Sequence, residues 1–349
     1  MTSYGNTASR SIASISPPLL LVDLVRHGSF LGAHALADAA AVAREGIGAR
    51  FDLLRGRPEA ALLRHGHAIR HVRRARESMA TYESIGRLVR RYPTQLESYR
   101  TVPVSPERFL FFVGYSRSGH SLVGALLDAH QSVLISHELH ALKHFRRGHS
   151  FDEVVDAIQY NSRFFEHFGR GYFGYSYEVA SQYQGRFSQL RLIGDKKANG
   201  TTRVLRRNPG ILDALPQKIP VPFVFLHVVR NPFDNIASRA RRAHIGLELS
   251  AHGYFDNADV IARLKQRYPD GVIDVYLDDL VADPKATLTA LLRRLGFAEV
   301  DDRYLDDCAK IVFKEAKRTR DDTAWDPALK RSIAERLGQY SFFHRFAAG

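Results

Sequence analysis

The sequence has 349 residues, 45% of them hydrophobic and 25% charged, which is the composition of an ordinary globular protein. Its formal net charge of +13 favours anionic partners, such as nucleotides, nucleic acid, acidic glycans or anionic lipid headgroups. The single cysteine, Cys308, excludes an intramolecular disulfide, which is consistent with the cytoplasmic location that we expect. No apolar window is long and uncharged enough to span a bilayer, so we expect no transmembrane helix.

The first hundred residues differ from the rest, because they hold 15 arginines, no lysine and 8 acidic residues. Apolar residues recur there at helical spacing, and no segment has the pattern of a strand. We therefore expect a basic, helical N-terminal extension over residues 1–104, followed by a separate domain over residues 105–349.

The densest basic run of this extension covers residues 64–76. A solvated helix face, an anionic lipid surface, an acidic glycan or nucleic acid would each suit it. Few aromatic residues are interleaved with the arginines, which argues against nucleic acid. The apolar stretch LLLVDLV at residues 19–25 leaves peripheral membrane contact open.

From Arg108 onward, short apolar runs alternate with amphipathic segments. Strands are predicted at 108–115, 133–138, 190–196, 221–230 and 272–280. Helices are predicted from Ser121 to about His130, over 151–168, after Thr201, from Pro232, and over 284–297. This alternation predicts a three-layer α/β domain with a central parallel sheet covered on both faces.

The strongest local pattern is GYSRSGHS, from Gly114 to Ser121, which follows a buried strand and opens a helix. Its glycine spacing is that of the phosphate-binding loop GxxxxGK[ST], with His120 in the lysine position. Loop amides and the helix N-terminus converge on one anion in such loops, and Arg117 can supply the missing positive charge. The alternative is a simple glycine-containing turn before a helix.

A second pattern, RNPFDNIAS, begins where the most apolar strand ends, at Arg230. Ligands of open α/β sheets bind outside the carboxyl ends of the strands, so this guanidinium is a candidate anion ligand. Pro232 suits the first helical turn, and Asp234 can complement the helix N-terminus. An ion pair between Arg230 and Asp234 is the structural alternative.

These segments resemble the sulfotransferases that use 3′-phosphoadenosine 5′-phosphosulfate (PAPS), whose fold is similar to that of P-loop kinases. The first two patterns look like the family's 5′-phosphosulfate loop and 3′-phosphate motif. VYLDDLVADPKATLTALLRRLGF, which contains Tyr276, and RTRDDTAW, which begins at Arg318, are similar to its later motifs. The resemblance covers roughly residues 105–345.

The resemblance implies PAPS as donor, a hydroxyl-bearing acceptor and no metal. The loop would hold the 5′-phosphosulfate through Gly114, Ser116, Arg117, Ser118, Gly119, His120 and Ser121. The rest of the cofactor would contact Arg230, Ser238, Tyr276 and Arg318. Lys196 would join Arg117 at the transferring group, and Glu138 would act as base.

Several alternatives stay open at this point. His137 or His140 could replace Glu138 as the base, because another branch of the family uses histidine, and Lys197 could point inward instead of Lys196. The tract HELH lacks the HExxH spacing of a zinc site. The competing functions are a P-loop kinase and a non-catalytic anion-binding module. The absence of the loop lysine from this sequence weakens the kinase alternative.

Three departures from the family pattern concern details of the cofactor contacts. His120 replaces a hydroxyl residue, Asn231 replaces an aspartate, and Thr323-Ala324 replaces a Gly-Asp pair. The acceptor itself, whether a carbohydrate or glycolipid, a peptide tyrosine or a small alcohol, is not indicated by any motif.

Overall fold

A computed structural model describes residues 101–167, 170–172 and 175–346. The helices and the basic run predicted within residues 1–104 lie outside the described residues. The chain divides into two compact units. The larger unit comprises Val104–Ile158 and Tyr177–Gly349, and Gln159–Ser176 belongs to the smaller one. In the smaller unit, two short antiparallel strands, Gly171–Tyr172 and Tyr175–Ser176, form a hairpin.

The larger unit is built on one five-stranded, all-parallel sheet, which confirms the predicted fold class. Its strands are β1 (Arg108–Val113), β2 (Val133–His137), β3 (Leu192–Lys196), β4 (Phe223–Val229) and β5 (Val272–Tyr276). In space their order is β2-β3-β1-β4-β5. The central position of β1 explains its unbroken apolar run, because a strand covered on both faces has no polar side to alternate with.

Helices cover the sheet and connect its strands. Those of the described chain are α1 (His120–Asp128), α2 (Ala141–Arg146), α3 (Phe151–His167), α4 (Ala198–Arg207), α5 (Ile211–Lys218), α6 (Pro232–Ala243), α7 (Leu247–Arg267), α8 (Leu277–Ala282), α9 (Pro284–Arg294), α10 (Asp302–Ile311) and α11 (Pro327–Leu337), followed by a 3₁₀ segment, Ser341–Phe346. None of these helices is both long and apolar enough to cross a bilayer.

The two faces of β1 pack into different parts of the core. Leu110 and Phe112 point into an aliphatic cluster shared with α1, α9 and α10. Phe109 and Phe111 point the other way, where their rings lie 5.6 and 6.1 Å from that of Phe145. All four side chains are completely buried, and each contributes roughly 1.5–3 kcal/mol of burial free energy.

Three predicted boundaries are wrong by three residues or more, and one of them is the end of the helix predicted over 284–297, which lies at Arg294. The last strand ends at Tyr276 and not at residue 280, because Leu277 and Leu280 are buried one helical turn apart in α8. Two aspartates in the first turn of that helix are also favourable for its dipole. The helix expected after Thr201 begins at Ala198, where the carbonyl of Lys197 already accepts a bond from the Thr201 amide at 2.8 Å.

Candidate active site

The predicted site residues meet at one edge of the sheet. Parallel strands end at the same edge, and the chain places the phosphate loop after β1 and Glu138 after β2. Lys196 is the last residue of β3, Arg230 follows β4, and Tyr276 is the last residue of β5. Topology alone therefore gathers residues that are far apart in the sequence.

The backbone of the phosphate loop, Gly114–Ser121, is held in a conformation that needs its glycines. Gly114 has φ +119°, and a Cβ there would lie 3.0 Å from Cδ2 of His227. Gly119 has φ +92°, and a Cβ there would lie 2.8 Å from Cδ1 of Leu277. Arg117 also has positive φ, 71°, which costs a non-glycine residue about 1 kcal/mol or more. Such strain is concentrated at functional sites.

Two side chains that the sequence did not single out fix the start of this loop. The amide of Gly114 donates to Oγ1 of Thr202 at 2.8 Å, and Nδ2 of Asn257 donates to the Gly114 carbonyl at 3.1 Å. Aromatic rings pack against Tyr115 of this loop, and we call the cluster of Tyr115, Tyr254 and Phe343 the aromatic floor. Tyr115 stacks on Tyr254 with ring centroids 4.0 Å apart, and Phe343 of the 3₁₀ segment lies 6.1 Å from Tyr115.

The amides of the rest of the loop are available to a ligand. Within the described part of the chain, none of the backbone N–H groups of residues 116–121 donates a hydrogen bond. The side chain of Ser118 turns back into the loop, donating to the Tyr115 carbonyl at 3.1 Å and lying 3.2 Å from Nδ1 of His120. A loop of free donors opening a helix N-terminus is an anion-binding arrangement.

Lys196 links the loop to the candidate base. Its side chain is 1% exposed, and its Nζ lies 3.0 Å from Oγ of Ser121 and 3.2 Å from Oε1 of Glu138. The Nζ also lies 3.3 Å from Nε2 of His137, and Lys197 donates to the other carboxylate oxygen of Glu138 at 2.9 Å. Both lysines thus face Glu138, but Lys196 is the one that also reaches the loop.

Room for the buried Lys196 comes from a glycine in the middle of α1. A Cβ at Gly124 would lie 2.8 Å from Cγ of Lys196 and 3.3 Å from its Cβ. Glycine in a helix interior costs about 1 kcal/mol relative to alanine. Its presence in a helix that packs against β3 is therefore explained by the lysine.

Asp195 positions the segment that carries Glu138. The buried carboxylate accepts bonds from the amides of Leu139, His140 and Ala141 at 2.8–2.9 Å, and from the hydroxyl of Ser136 at 2.8 Å. Burial raises the pKa of Asp195, and these hydrogen bonds oppose that shift. An acid inside an otherwise apolar strand, in LIGDK, was the available sequence signal.

The segment held by Asp195 is strained. Glu138 and His140 both have positive φ, 60° and 75°, a conformation that costs residues other than glycine on the order of 1–3 kcal/mol each. The four hydrogen bonds to Asp195 hold the backbone around Glu138 in this shape.

Arg230 joins the phosphate loop to the C-terminal basic segment. Its Nη1 donates to the Arg117 carbonyl at 3.2 Å, and its Nη2 donates to the carbonyl of Lys317 and, at 3.4 Å, to Oγ1 of Thr319. Its Nε is buried and has no partner among the described residues. Burial lowers the pKa of Arg230, with the Arg117 charge acting in the same direction and Asp234 opposing. Arg117 in turn donates to Oγ of Ser238 at 3.2 Å.

The Arg230–Asp234 ion pair considered as an alternative does not form. Asp234 instead accepts from the amide of Arg320 at 2.8 Å and pairs with its guanidinium. Arg318 is exposed and its side chain bonds no described residue. Arg320, which contacts Asp234, was not singled out from the sequence. Trp325 anchors the segment by donating to the Arg320 carbonyl at 3.1 Å.

Two further predicted positions have local partners. Asn231, the departure from the family's aspartate, caps α6 by accepting from the amides of Phe233 and Asp234 at 3.1 and 3.4 Å. The hydroxyl of Tyr276 donates to the Phe342 carbonyl at 3.3 Å, and Arg345 lies over its ring at 4.0 Å. Among the described residues, no three His, Cys, Asp or Glu side chains form a group suited to a metal ion.

Comparisons with solved structures find sulfotransferases at low identity. A sulfotransferase from Mycobacterium avium is 12% identical, with 97% of this chain and 98% of that chain covered and a TM-score of 0.45. The sulfotransferase domain of the Synechococcus PCC 7002 olefin synthase is 18% identical, with 66% and 85% covered and a TM-score of 0.37. A mouse sulfotransferase complexed with PAP is 13% identical, with 72% and 91% covered and a TM-score of 0.36.

No curated protein matches the chain significantly. Because the structural TM-scores are below 0.5, the family assignment rests on a family model, described as the sulfotransferase family, that matches residues 110–302. The matched range is more than half of the chain, and it contains the phosphate loop, Glu138, Lys196 and Arg230. The protein therefore belongs to the sulfotransferase family.

Proposed function

We propose that the protein transfers a sulfuryl group from PAPS to a hydroxyl group of an acceptor. The observation that carries this proposal is the position of Lys196, whose buried Nζ contacts both Ser121 of the phosphate loop and the carboxylate of Glu138. One cation thus lies between an anion-binding loop and a candidate base, as a group transfer between an anionic donor and a hydroxyl requires.

The residues present fit the two phosphate-bearing ends of PAPS. The free amides of residues 116–121 and the guanidinium of Arg117 suit the 5′-phosphosulfate. The buried Nε of Arg230, which lacks an acceptor among the described residues, suits the 3′-phosphate, and Ser238 and Arg318 would complete that site. Tyr276, at the end of the adjacent strand, would border the cofactor.

The chemistry follows from these groups. A bond forms between the acceptor oxygen and sulfur, the bond from sulfur to the 5′-phosphate oxygen breaks, and the hydroxyl proton passes to Glu138. Lys196 and Arg117 would stabilise the charge that develops on the departing oxygen. Glu138 accepts the proton late, as suits a loose transition state. Its contacts with Lys196 and Lys197 hold the carboxylate in place for that step.

The two competing functions are less well supported. A P-loop kinase needs a strand-end acid for magnesium, and β4 ends at Arg230 instead. A module that binds anions without catalysis would not need a carboxylate beside Lys196 on a strained segment that Asp195 holds through three amides.

The test is transfer of label from [³⁵S]PAPS to a fractionated cell extract, in excess chelator and in magnesium. We expect a labelled acceptor under both conditions, because protein cations replace the metal. Lys196→Met should abolish labelling, whereas Lys310→Met, at an exposed lysine paired with Asp307, should not. Activity that collapses in chelator and returns with magnesium, or hydrolysis of a nucleoside triphosphate, would favour the kinase. Binding of PAP with no labelled product from any fraction would favour the module.

A further inference from the structure

The phosphate loop contains an imidazole whose tautomer is fixed by its neighbours. Nδ1 of His120 lies 3.2 Å from Oγ of Ser118, which lies 3.1 Å from the Tyr115 carbonyl. A carbonyl can only accept, so the hydroxyl hydrogen of Ser118 goes to Tyr115. His120 must then donate from Nδ1 to Oγ of Ser118. A neutral imidazole that donates from Nδ1 carries its lone pair on Nε2.

The surroundings of His120 keep the ring uncharged. Burial lowers the pKa of His120 to about 3, with the positive charges of Lys196, Lys197 and Arg117 acting in the same direction and Glu138 opposing them. These four charged side chains all belong to the candidate site, and the imidazole lies near them. At physiological pH it is therefore not the cation that a lysine would be at this place in the loop.

The free nitrogen of His120 differs in kind from the groups proposed to bind the phosphosulfate. The backbone amides, Arg117 and Lys196 are all donors, and the oxygens of phosphate and sulfate can only accept from them. Nε2 of His120 is an acceptor, and the hydrogen bond of this ring to a described residue is the one at Nδ1. A phosphoryl or sulfuryl oxygen would be repelled by its lone pair, whereas a hydroxyl group would donate to it.

We propose that His120 is a substrate-positioning residue whose Nε2 accepts a hydrogen bond from the hydroxyl group that is to be sulfated. This inference rests on the proposed function and deepens it, because it assigns the imidazole to the acceptor and leaves only the His120 amide to the donor. The hydroxyl has a single hydrogen, so the bond to His120 orients the acceptor before the reaction, and this hydrogen turns to Glu138 as the bond from oxygen to sulfur forms. The departure from a hydroxyl residue in the loop then becomes a feature of acceptor recognition.

Two variants separate this role from a structural one. His120→Asn keeps a donor near the Nδ1 position for Ser118 and has no atom at Nε2, whereas His120→Gln can place a carbonyl oxygen near Nε2. With the acceptor isolated from the labelled fraction, we expect His120→Asn to reduce kcat/KM for the acceptor about two- to tenfold, the contribution of one neutral hydrogen bond. His120→Gln should recover part of this loss, and the Kd for PAP should be unchanged in both.

The pH dependence of PAP binding gives a second readout. We expect the Kd for PAP to vary in the same way for wild type and His120→Asn between pH 5.5 and 8. A loss of affinity with rising pH that is confined to the wild type would show that a charged imidazole binds phosphate, and would overturn the inference.

The remaining outcomes separate the role of His120 from the proposed sulfuryl transfer. Sulfuryl transfer by the wild type with unchanged acceptor kinetics in folded His120→Asn overturns the inference alone. PAP binding without transfer by the wild type overturns both. If thermal unfolding shows that His120→Asn does not fold, His120→Ala compared with His120→Gln makes the same test of the Nε2 position.

Discussion

The assignment of Arg230 to the 3′-phosphate predicts a large effect of Arg230→Ala on the affinity for PAP. In the free protein the guanidinium already bonds Arg117, Lys317 and Thr319, and the Nε group remains as a buried donor without an acceptor among the described residues. One charge-assisted hydrogen bond from Nε contributes about 1.5–3 kcal/mol. The Kd for PAP should therefore rise roughly ten- to hundredfold in Arg230→Ala.

Ser238→Ala should weaken PAP binding less than Arg230→Ala. The Ser238 hydroxyl accepts from Arg117, which leaves its own hydrogen for the phosphate. This bond has one charged partner where that of Arg230 has two, so it contributes about 1.5 kcal/mol, the low end of the range for bonds to charged groups. The expected increase in Kd is about tenfold. Arg239→Ala is the matched control, because its guanidinium is also tied to backbone carbonyls, those of Leu249 and Ser250, and it has no assigned ligand contact.

Both affinities are best measured by titration calorimetry with PAP at fixed ionic strength, since contacts between charges are screened by salt. Arg230→Ala also removes bonds between the strand end and two loops, so its melting temperature should fall, and the titration must be run on folded protein. Unchanged affinity in folded Arg230→Ala would refute the assignment, as would a larger loss in Ser238→Ala.

Three further predictions concern other parts of the structure. Glu138→Gln should retain PAP affinity while transfer falls on the order of a hundredfold, because the amide cannot take the hydroxyl proton. Gly124→Ala should impair transfer by displacing Lys196, whereas Gly253→Ala, another helix-interior change, should be tolerated because its Cβ meets only the end of a flexible arginine. His130→Asn should reduce the loss of stability in acid. Burial lowers the pKa of His130 to about 4, so the unfolded state binds more protons below pH 6.5 and the wild type should lose up to roughly 3 kcal/mol by pH 4.

Single-turnover transfer tests Glu138→Gln, and the same assay paired with thermal melts tests Gly124→Ala. Urea unfolding as a function of pH tests His130→Asn. The base assignment is wrong if His137→Ala or His140→Ala abolishes turnover and Glu138→Gln does not. Equal behaviour of the two glycine variants would contradict the packing explanation. For acid stability the control is the exposed His344→Asn, and an unfolding profile of His130→Asn that matches this control would contradict the prediction.

The fold could be predicted because its signals are local. Apolar runs bounded by polar residues predicted each strand of the sheet, and the glycine spacing of the phosphate loop predicted the strand–loop–helix unit. The roles of Asp195, Thr202 and Asn257 could not be predicted, since they depend on contacts between distant segments. Asn257, for instance, bonds a carbonyl 143 residues earlier in the chain.

The choice between neighbouring basic residues was the hardest part of the site to predict. Arg318 and Arg320 are two residues apart in a segment without regular secondary structure, so no periodicity indicates which of them faces Asp234. Lys196 and Lys197 posed the same problem. Lys196 is the last residue of β3, where successive side chains point to opposite faces. Lys197 follows the strand, at the start of α4, and its side chain nevertheless reaches the same carboxylate, that of Glu138.

The aromatic floor of the phosphate loop has a consequence for biosynthesis. Tyr115 belongs to the first strand–loop unit of the sheet, whereas Phe343 lies in the 3₁₀ segment, which the ribosome makes after every strand. Until that segment is made, Tyr115 and Tyr254 lack the Phe343 ring, which lies 6.1 and 5.6 Å from their own. We therefore expect the packing around the loop to be completed late in synthesis, and a product that ends before Tyr340 to lack the part that Phe343 supplies.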